Sequence, residues 1–152
     1  MPRRKITISK PFAELPTDAN PSEIESVPWI RAFAHEREYP KHTEFGGKWL
    51  LFVPLKDIDT LWAKIRDALH SGWLGNSAKV ATAMPNPNAS NPNERVICVY
   101  TYDSRDESDV KRVRQSLRDI GISRKIPYKA DNATRAGKYA NRGDSNTSLY
   151  YE

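Results

Sequence analysis

The fold is decided by the stretch Gly46-Gly47-Lys48-Trp49-Leu50-Leu51-Phe52-Val53-Pro54. It holds the longest apolar run of the chain, Trp49 to Val53, with two glycines in the lead and a proline behind. A short apolar run between turn-forming residues is typical of a buried strand. The run is far below the roughly 20 residues that cross a membrane. We therefore expect a buried strand and no membrane partner.

Two amphipathic helices are predicted from three- and four-residue apolar spacing, one after Asp57 and one over about 106–120. Each series ends at a glycine, which is a common helix stop. The buried positions would be Ile58, Leu61, Trp62, Ile65 and Leu69 in the first helix, and Val110, Val113, Leu117 and Ile120 in the second. The opposite side of the second helix is expected to be solvated, with Lys111, Arg112, Arg114 and Arg118.

Further strands are predicted from alternation and β-forming composition over 29–38, 77–83, 94–102 and 126–129. A proline- and asparagine-rich loop joins the second and third of these. The order strand, strand, helix, strand, strand, helix, strand predicts an α+β fold, in which helices pack on one face of a mainly antiparallel sheet.

The first 28 residues contain five prolines and no sustained periodicity. We expect an extended N-terminal arm over 1–28 and a single α+β domain over 29–152. At 38% hydrophobic and 28% charged residues, the 152-residue chain is too apolar for wholesale disorder.

Cysteine content and the N-terminus bear on location. The lone cysteine, Cys98, excludes an internal disulfide and a cysteine-based zinc site. The basic N-terminus is not followed by an apolar signal core. A cytoplasmic location is the expectation.

The net charge of +5 comes from one stretch. Residues 123–143 hold six bases and one acid, Asp131. Such a run can be a solvated face, or it can be an anion site for phosphate or nucleic acid. The bases are Arg124, Lys125, Lys129, Arg135, Lys138 and Arg142.

Two lysines and two tryptophans stand out as candidate site residues. Lys48 and Lys79 lie within apolar strands, where burial or nearby cations would lower the pKa of an amine toward that of a general base. They can equally be edge lysines that reach water. Trp29 and Trp73 lie in or near loops and are candidates for stacking on a base, although packing over the core is the alternative. No phosphate loop, nucleophile elbow or metal-binding histidine pair is present, so neither a cofactor nor a metal is expected.

Several short motifs resemble the bacterial effector phosphothreonine lyases. These are His35-Glu36-Arg37 ahead of Gly47-Lys48-Trp49, then Ala78-Lys79-Val80, Val99-Tyr100 and Lys138-Tyr139-Ala140-Asn141-Arg142-Gly143-Asp144. The resemblance implies β-elimination of phosphate from a phosphothreonine, with Lys79 as the base. Its implied phosphate ligands are Lys48, Arg37, Arg135 and Arg142. The acid histidine of the lyases is replaced by Leu50, for which His35 or His42 would have to substitute.

A second and closer resemblance is to the basophilic-leukaemia-expressed protein family. The shared motifs are Gly47-Lys48-Trp49-Leu50, Leu74-Gly75 with Ala78-Lys79-Val80, and Val96-Ile97-Cys98-Val99-Tyr100-Thr101. This resemblance implies the fold of the mRNA-cap-binding initiation factor, whose Gly-Gly-Arg-Trp-Leu strand is similar to residues 46–50.

Two functions follow. The first is a phosphate-binding domain, with possible lyase activity on a phosphorylated peptide or a small phosphorylated ligand. The alternative is a non-catalytic module that binds a nucleotide or an RNA cap, with Trp29 or Trp73 stacked on the base. An interaction domain with incidental charge is a third interpretation.

Overall fold

The computed structural model describes residues 18–35, 38–87, 89, 91–132 and 148–152. Its elements follow one another in the order strand, strand, helix, strand, strand, helix, strand, strand. They are β1 (Trp29–Phe33), β2 (Gly47–Pro54), α1 (Ile58–His70), β3 (Ser77–Ala81), β4 (Glu94–Thr101), α2 (Glu107–Asp119), β5 (Pro127–Ala130) and β6 (Ser148–Tyr151).

The six strands form one sheet in the order β1-β3-β4-β2-β5-β6, and every pairing is antiparallel. Both helices supply buried apolar residues to a core that the sheet shares. The predicted α+β class, with helices on one face of an antiparallel sheet, is therefore confirmed. The strand predicted from the central apolar run is β2, and it pairs with β4 along its whole length.

Trp49 anchors the sheet to the helices. Its side chain is fully buried, and its indole N–H donates to the Val110 carbonyl of α2 over 3.0 Å. The ring packs edge-on against Tyr128 of β5, with 5.2 Å between the centroids. The Tyr128 hydroxyl is bonded to Thr101 Oγ1 at 2.6 Å and fills the space beside Gly47, where an added Cβ would lie 2.4 Å from it. Gly47 is therefore needed so that the tyrosine can close this part of the core.

Arg114 corrects the expectation for the second helix. It is 1% exposed, not solvated. Its guanidinium donates to the carbonyls of Glu152 at 2.7 Å, Ile122 at 2.9 Å and Arg124 at 2.6 Å. A buried charge is tolerated when hydrogen bonds replace its hydration. The side chain thus ties α2 to the segment leading into β5 and to the residue that follows β6.

The chain ends differ in detail from the sequence expectations. The first strand ends at Phe33, five residues before its predicted end. The last strand, β6, was not predicted and pairs with β5. Within the arm, Ile24 is buried, and Ser22 bonds to Asp59 of α1 through its backbone N–H at 2.9 Å. The division into arm and domain stays a prediction.

We expect Arg114→Met to lower the free energy of unfolding by about 3 kcal/mol, because several backbone carbonyls lose a charged donor in a site with little access to water. Urea unfolding measures this loss. The matched control is Arg118→Met on the exposed side of the same helix, which should change stability by less than about 0.5 kcal/mol. Equal midpoints for both variants and the parent would contradict the role assigned to Arg114.

Candidate nucleotide-binding face

Helices α1 and α2 pack on one face of the sheet, and we call the opposite face the open face. Trp49 and Tyr128 point into the core, so their strand neighbours point the other way. The open face presents Trp29, Arg31 and Phe33 from β1, Ser77, Lys79 and Ala81 from β3, Val96, Cys98 and Tyr100 from β4, Lys48, Leu50 and Phe52 from β2, and Lys129 from β5.

Lys79 lies at the centre of a cationic and aromatic cluster. Its ammonium is 3.9 Å from the centroid of the Trp29 ring, which is a cation–π contact. Arg31 is its cross-strand partner, and the Arg31 side chain hydrogen-bonds to Tyr100. Burial lowers the pKa of Lys79, and the charges of Arg31 and Lys48 act in the same direction. Three strands therefore bring four cationic or aromatic groups to one place.

Cys98 is the cross-strand partner of both Lys79 and Leu50. Burial raises the pKa of its thiol to about 11, so the thiol stays protonated at neutral pH. Leu50 is 8% exposed. Leu50 has no proton to donate, and a thiol with so high a pKa is a weak acid for a leaving phosphate.

Lys48 and His42 share one carboxylate. The Lys48 ammonium is 2.8 Å from Asp131 Oδ1, and His42 Nε2 is 3.0 Å from Asp131 Oδ2. The His42 ring also lies edge-on to Tyr100, with 6.3 Å between the centroids. An added Cβ at Gly46 would lie 1.8 Å from His42 Nε2, so the glycine makes room for this imidazole. Of the two histidines considered as a substitute acid, His42 is the one beside Lys48.

A cavity of about 490 Å³ lies at the other end of the open face. Its sheet side is formed by Trp29, Phe52, Ala81 and Val96, and its other wall belongs to the β3–β4 loop. Arg95 holds both ends of that loop, since its guanidinium donates to the carbonyls of Thr82 and Pro92 at 2.6 Å each. The volume lies within the range of about 300–1,000 Å³ that small ligands occupy.

His35 and Trp73 lie elsewhere. The His35 ring is 4.6 Å from that of His70, the last residue of α1. Trp73 follows α1 and lies beside its C-terminal turn, and its side chain is exposed. Both residues therefore sit by the helix layer, whereas Lys79 and Trp29 share the open face. Arg37, Arg135 and Arg142, the other predicted phosphate ligands, fall outside the described residues.

Sequence reasoning missed Arg31 and underrated Asp131. Arg31 was visible as a polar position of an alternating strand, but only the β1–β3 register shows that it faces Lys79. Asp131 is the lone acid of a basic stretch, and its partners come from segments more than 80 residues away. The alternation of side chains along a strand correctly predicts that Lys48 and Trp49 lie on opposite faces of β2.

Two crystal structures of schistosome eIF4E have the same fold. The one described as complexed with m7GpppA and 4E-BP matches with a TM-score of 0.55 and 17% identity, over 72% of this chain and 60% of that chain. The complex with m7GpppG and 4E-BP gives 0.54 and 18%, over 72% and 59%. The expected cap-binding-initiation-factor-like fold is thereby confirmed. This chain spans about 60% of the length of those eIF4E chains.

The family follows from a match over residues 41–136 to the model of basophilic leukemia-expressed protein Bles03. The chain belongs to this family. The matched range contains β2 through β5, and therefore Lys48 and Lys79 of the open face and Asp131 beside Lys48.

Two further observations concern other classes of site. Among the residues given above as described, no helix combines the length and apolar character of a membrane span. Within that same part of the chain, histidine, cysteine and carboxylate side chains form no group of three that could hold a metal ion.

We expect the amine of Lys79 to react with cyanate at lower pH than the amine of Lys111. Only the unprotonated amine reacts, and burial lowers the pKa of Lys79, whereas a hydrogen bond to Glu107 raises the pKa of the exposed Lys111. Peptide mass spectrometry across a pH series gives a midpoint for each residue. Because the midpoints are compared, and not the absolute rates, a difference in the access of cyanate to the two lysines does not affect the result. A midpoint for Lys79 at or above that of Lys111 would contradict the assignment.

Proposed function

We propose that this chain is a non-catalytic module that binds a phosphorylated nucleotide, of the kind that caps an RNA, on the open face. The observation that carries the proposal is the placement of Arg31 and Lys79 beside Trp29, with Lys48 farther along the same open face. Cations spread across one sheet face suit a chain of phosphates, and an indole offers a stacking surface for a base. The fold of the schistosome proteins, whose structures hold capped dinucleotides, supports the same class of ligand.

Along the strands, charged side chains and the apolar cavity lie at opposite ends of the open face. Lys48 and Lys129 are cross-strand partners at the end where β2 begins, and the cavity beside Trp29 lies at the opposite end. Lys79 and Arg31 lie between them. A nucleotide would place its base against Trp29 and its phosphates over Lys79 and Arg31 toward Lys48. The ammonium on the Trp29 ring would then move to, or be shared with, the first phosphate.

β-Elimination is the second candidate function, and the lowered pKa of Lys79 favours it because such an amine can remove a proton. In that reaction Lys79 takes the α-proton of phosphothreonine, the Cα–Cβ double bond forms and the Cβ–O bond to phosphate breaks. The leaving phosphate needs cations and a proton. Leu50 supplies neither, and the similar structures reported above lend the lyase interpretation no support.

Binding of m7GpppG should quench tryptophan fluorescence and be measurable by calorimetry. Lys79→Met should weaken binding about tenfold, because it removes one charged contact to phosphate. Trp29→Leu should weaken binding and remove most of the quenching. The matched control is Trp73→Leu, which removes an exposed tryptophan beside the helix layer and should leave affinity unchanged. Equal losses in the two tryptophan variants, or no binding by the parent, would refute the proposed face.

The same protein should leave a phosphothreonine peptide intact. Elimination would lower the peptide mass by one phosphoric acid, and mass spectrometry after long incubation detects this change. An unaltered peptide supports a binding module. Loss of phosphoric acid by the parent, abolished in Lys79→Met and retained in Lys111→Met, would establish the lyase activity instead.

A further inference from the structure

The carboxylate of Asp131 holds two groups that a phosphate would otherwise contact. One oxygen accepts from the Lys48 ammonium at 2.8 Å, and the other lies 3.0 Å from His42 Nε2. The two oxygens of a phosphate can be bound in the same way, one to each partner. Asp131 therefore has the position and charge of a ligand oxyanion at the Lys48 end of the open face.

The position of Asp131 is fixed by the backbone. Its N–H donates to the Gly46 carbonyl at 2.9 Å, immediately after β5 ends at Ala130. Its side chain is 19% exposed, so it can be reached from solvent. The carboxylate also acts electrostatically on Lys79, opposing the effects of Arg31 and Lys48. One negative charge thus reduces the positive potential of the whole cluster.

We propose that Asp131 is an intramolecular competitor for phosphate, which a ligand must displace from Lys48 and His42 in order to bind at that end of the open face. This inference rests on the proposed function. It makes Asp131 a specificity-determining residue, because a ligand gains from Lys48 only if it brings enough negative charge to outcompete a tethered carboxylate. Ligands with several phosphates meet that condition best.

The sign of the change in ligand affinity on removing the Asp131 charge distinguishes competition by Asp131 from a role in positioning Lys48. If Asp131 merely positioned Lys48 for the ligand, its removal would weaken binding. If it competes, Asp131→Asn keeps the size of the side chain, removes the charge and strengthens binding. We expect about a tenfold gain for inorganic tripolyphosphate at low ionic strength, where charge interactions are least screened. The gain should shrink as salt is added.

Isothermal titration calorimetry with tripolyphosphate and with m7GpppG tests the proposal on the full chain. Asp67→Asn is the matched control, since it removes the same charge from an exposed position of α1 and should leave both affinities unchanged. Lys48→Gln combined with Asp131→Asn should abolish the gain, because the gain is attributed to the contact between the Lys48 ammonium and the ligand. Circular dichroism melts confirm that each variant is folded.

The outcomes are distinct. Tighter binding by Asp131→Asn alone supports competition. Unchanged or weaker binding by a folded Asp131→Asn overturns it, while measurable binding by the parent leaves the proposed function standing. An equal gain in Asp67→Asn also overturns it, since net charge would then explain the effect. Absence of binding for both probes in every variant overturns this inference and the proposed function together.

Discussion

The hydrogen bond from the Trp49 indole to the Val110 carbonyl fixes the relation between sheet and helices. It joins the central strand β2 to α2 through a side chain with no exposed surface. Since neighbouring side chains on a strand point to opposite faces, burying Trp49 commits Lys48 and Leu50 to the open face. The pairings of β2 with β4 and β5 extend that choice across the sheet. Slippage by one residue would bury the lysine and expose the indole.

The open face brings together four cationic side chains that repel one another, namely those of Arg31, Lys79, Lys48 and Lys129. Partial burial strengthens this repulsion, because it weakens the screening of charge by water. The structure offsets it in two ways. The Trp29 ring faces the Lys79 ammonium, and Asp131 neutralises Lys48. Both compensating contacts are with groups that a bound anion could replace.

Much of this fold could be predicted from the sequence, because it depends on local periodicity. The run around Trp49 and the helical spacing of α1 each identify an element and its buried side. Lys48, Lys79 and Trp29 follow from the same alternation. The interpretation of Arg114 was wrong for a physical reason. A polar residue on a helix is expected in water unless carbonyls from distant segments replace the water, and those carbonyls belong to residues up to 38 positions away. The partners of Asp131 and Arg31 likewise come from strand pairing, which the local sequence does not reveal. Trp73 lies in no periodic pattern that would predict on which side of the sheet it lies.

Gly46, just before β2, and Gly47, its first residue, each leave room for a different side chain. Gly47 leaves room for Tyr128 in the core, and Gly46 leaves room for His42 beside the cations. The same dipeptide thus meets two separate steric constraints, one from the core and one from the site. Among homologues, a larger residue at position 47 should coincide with a smaller one at 128. A larger residue at position 46 should coincide with loss of the imidazole at 42, and such lineages would have altered the open face while keeping the fold.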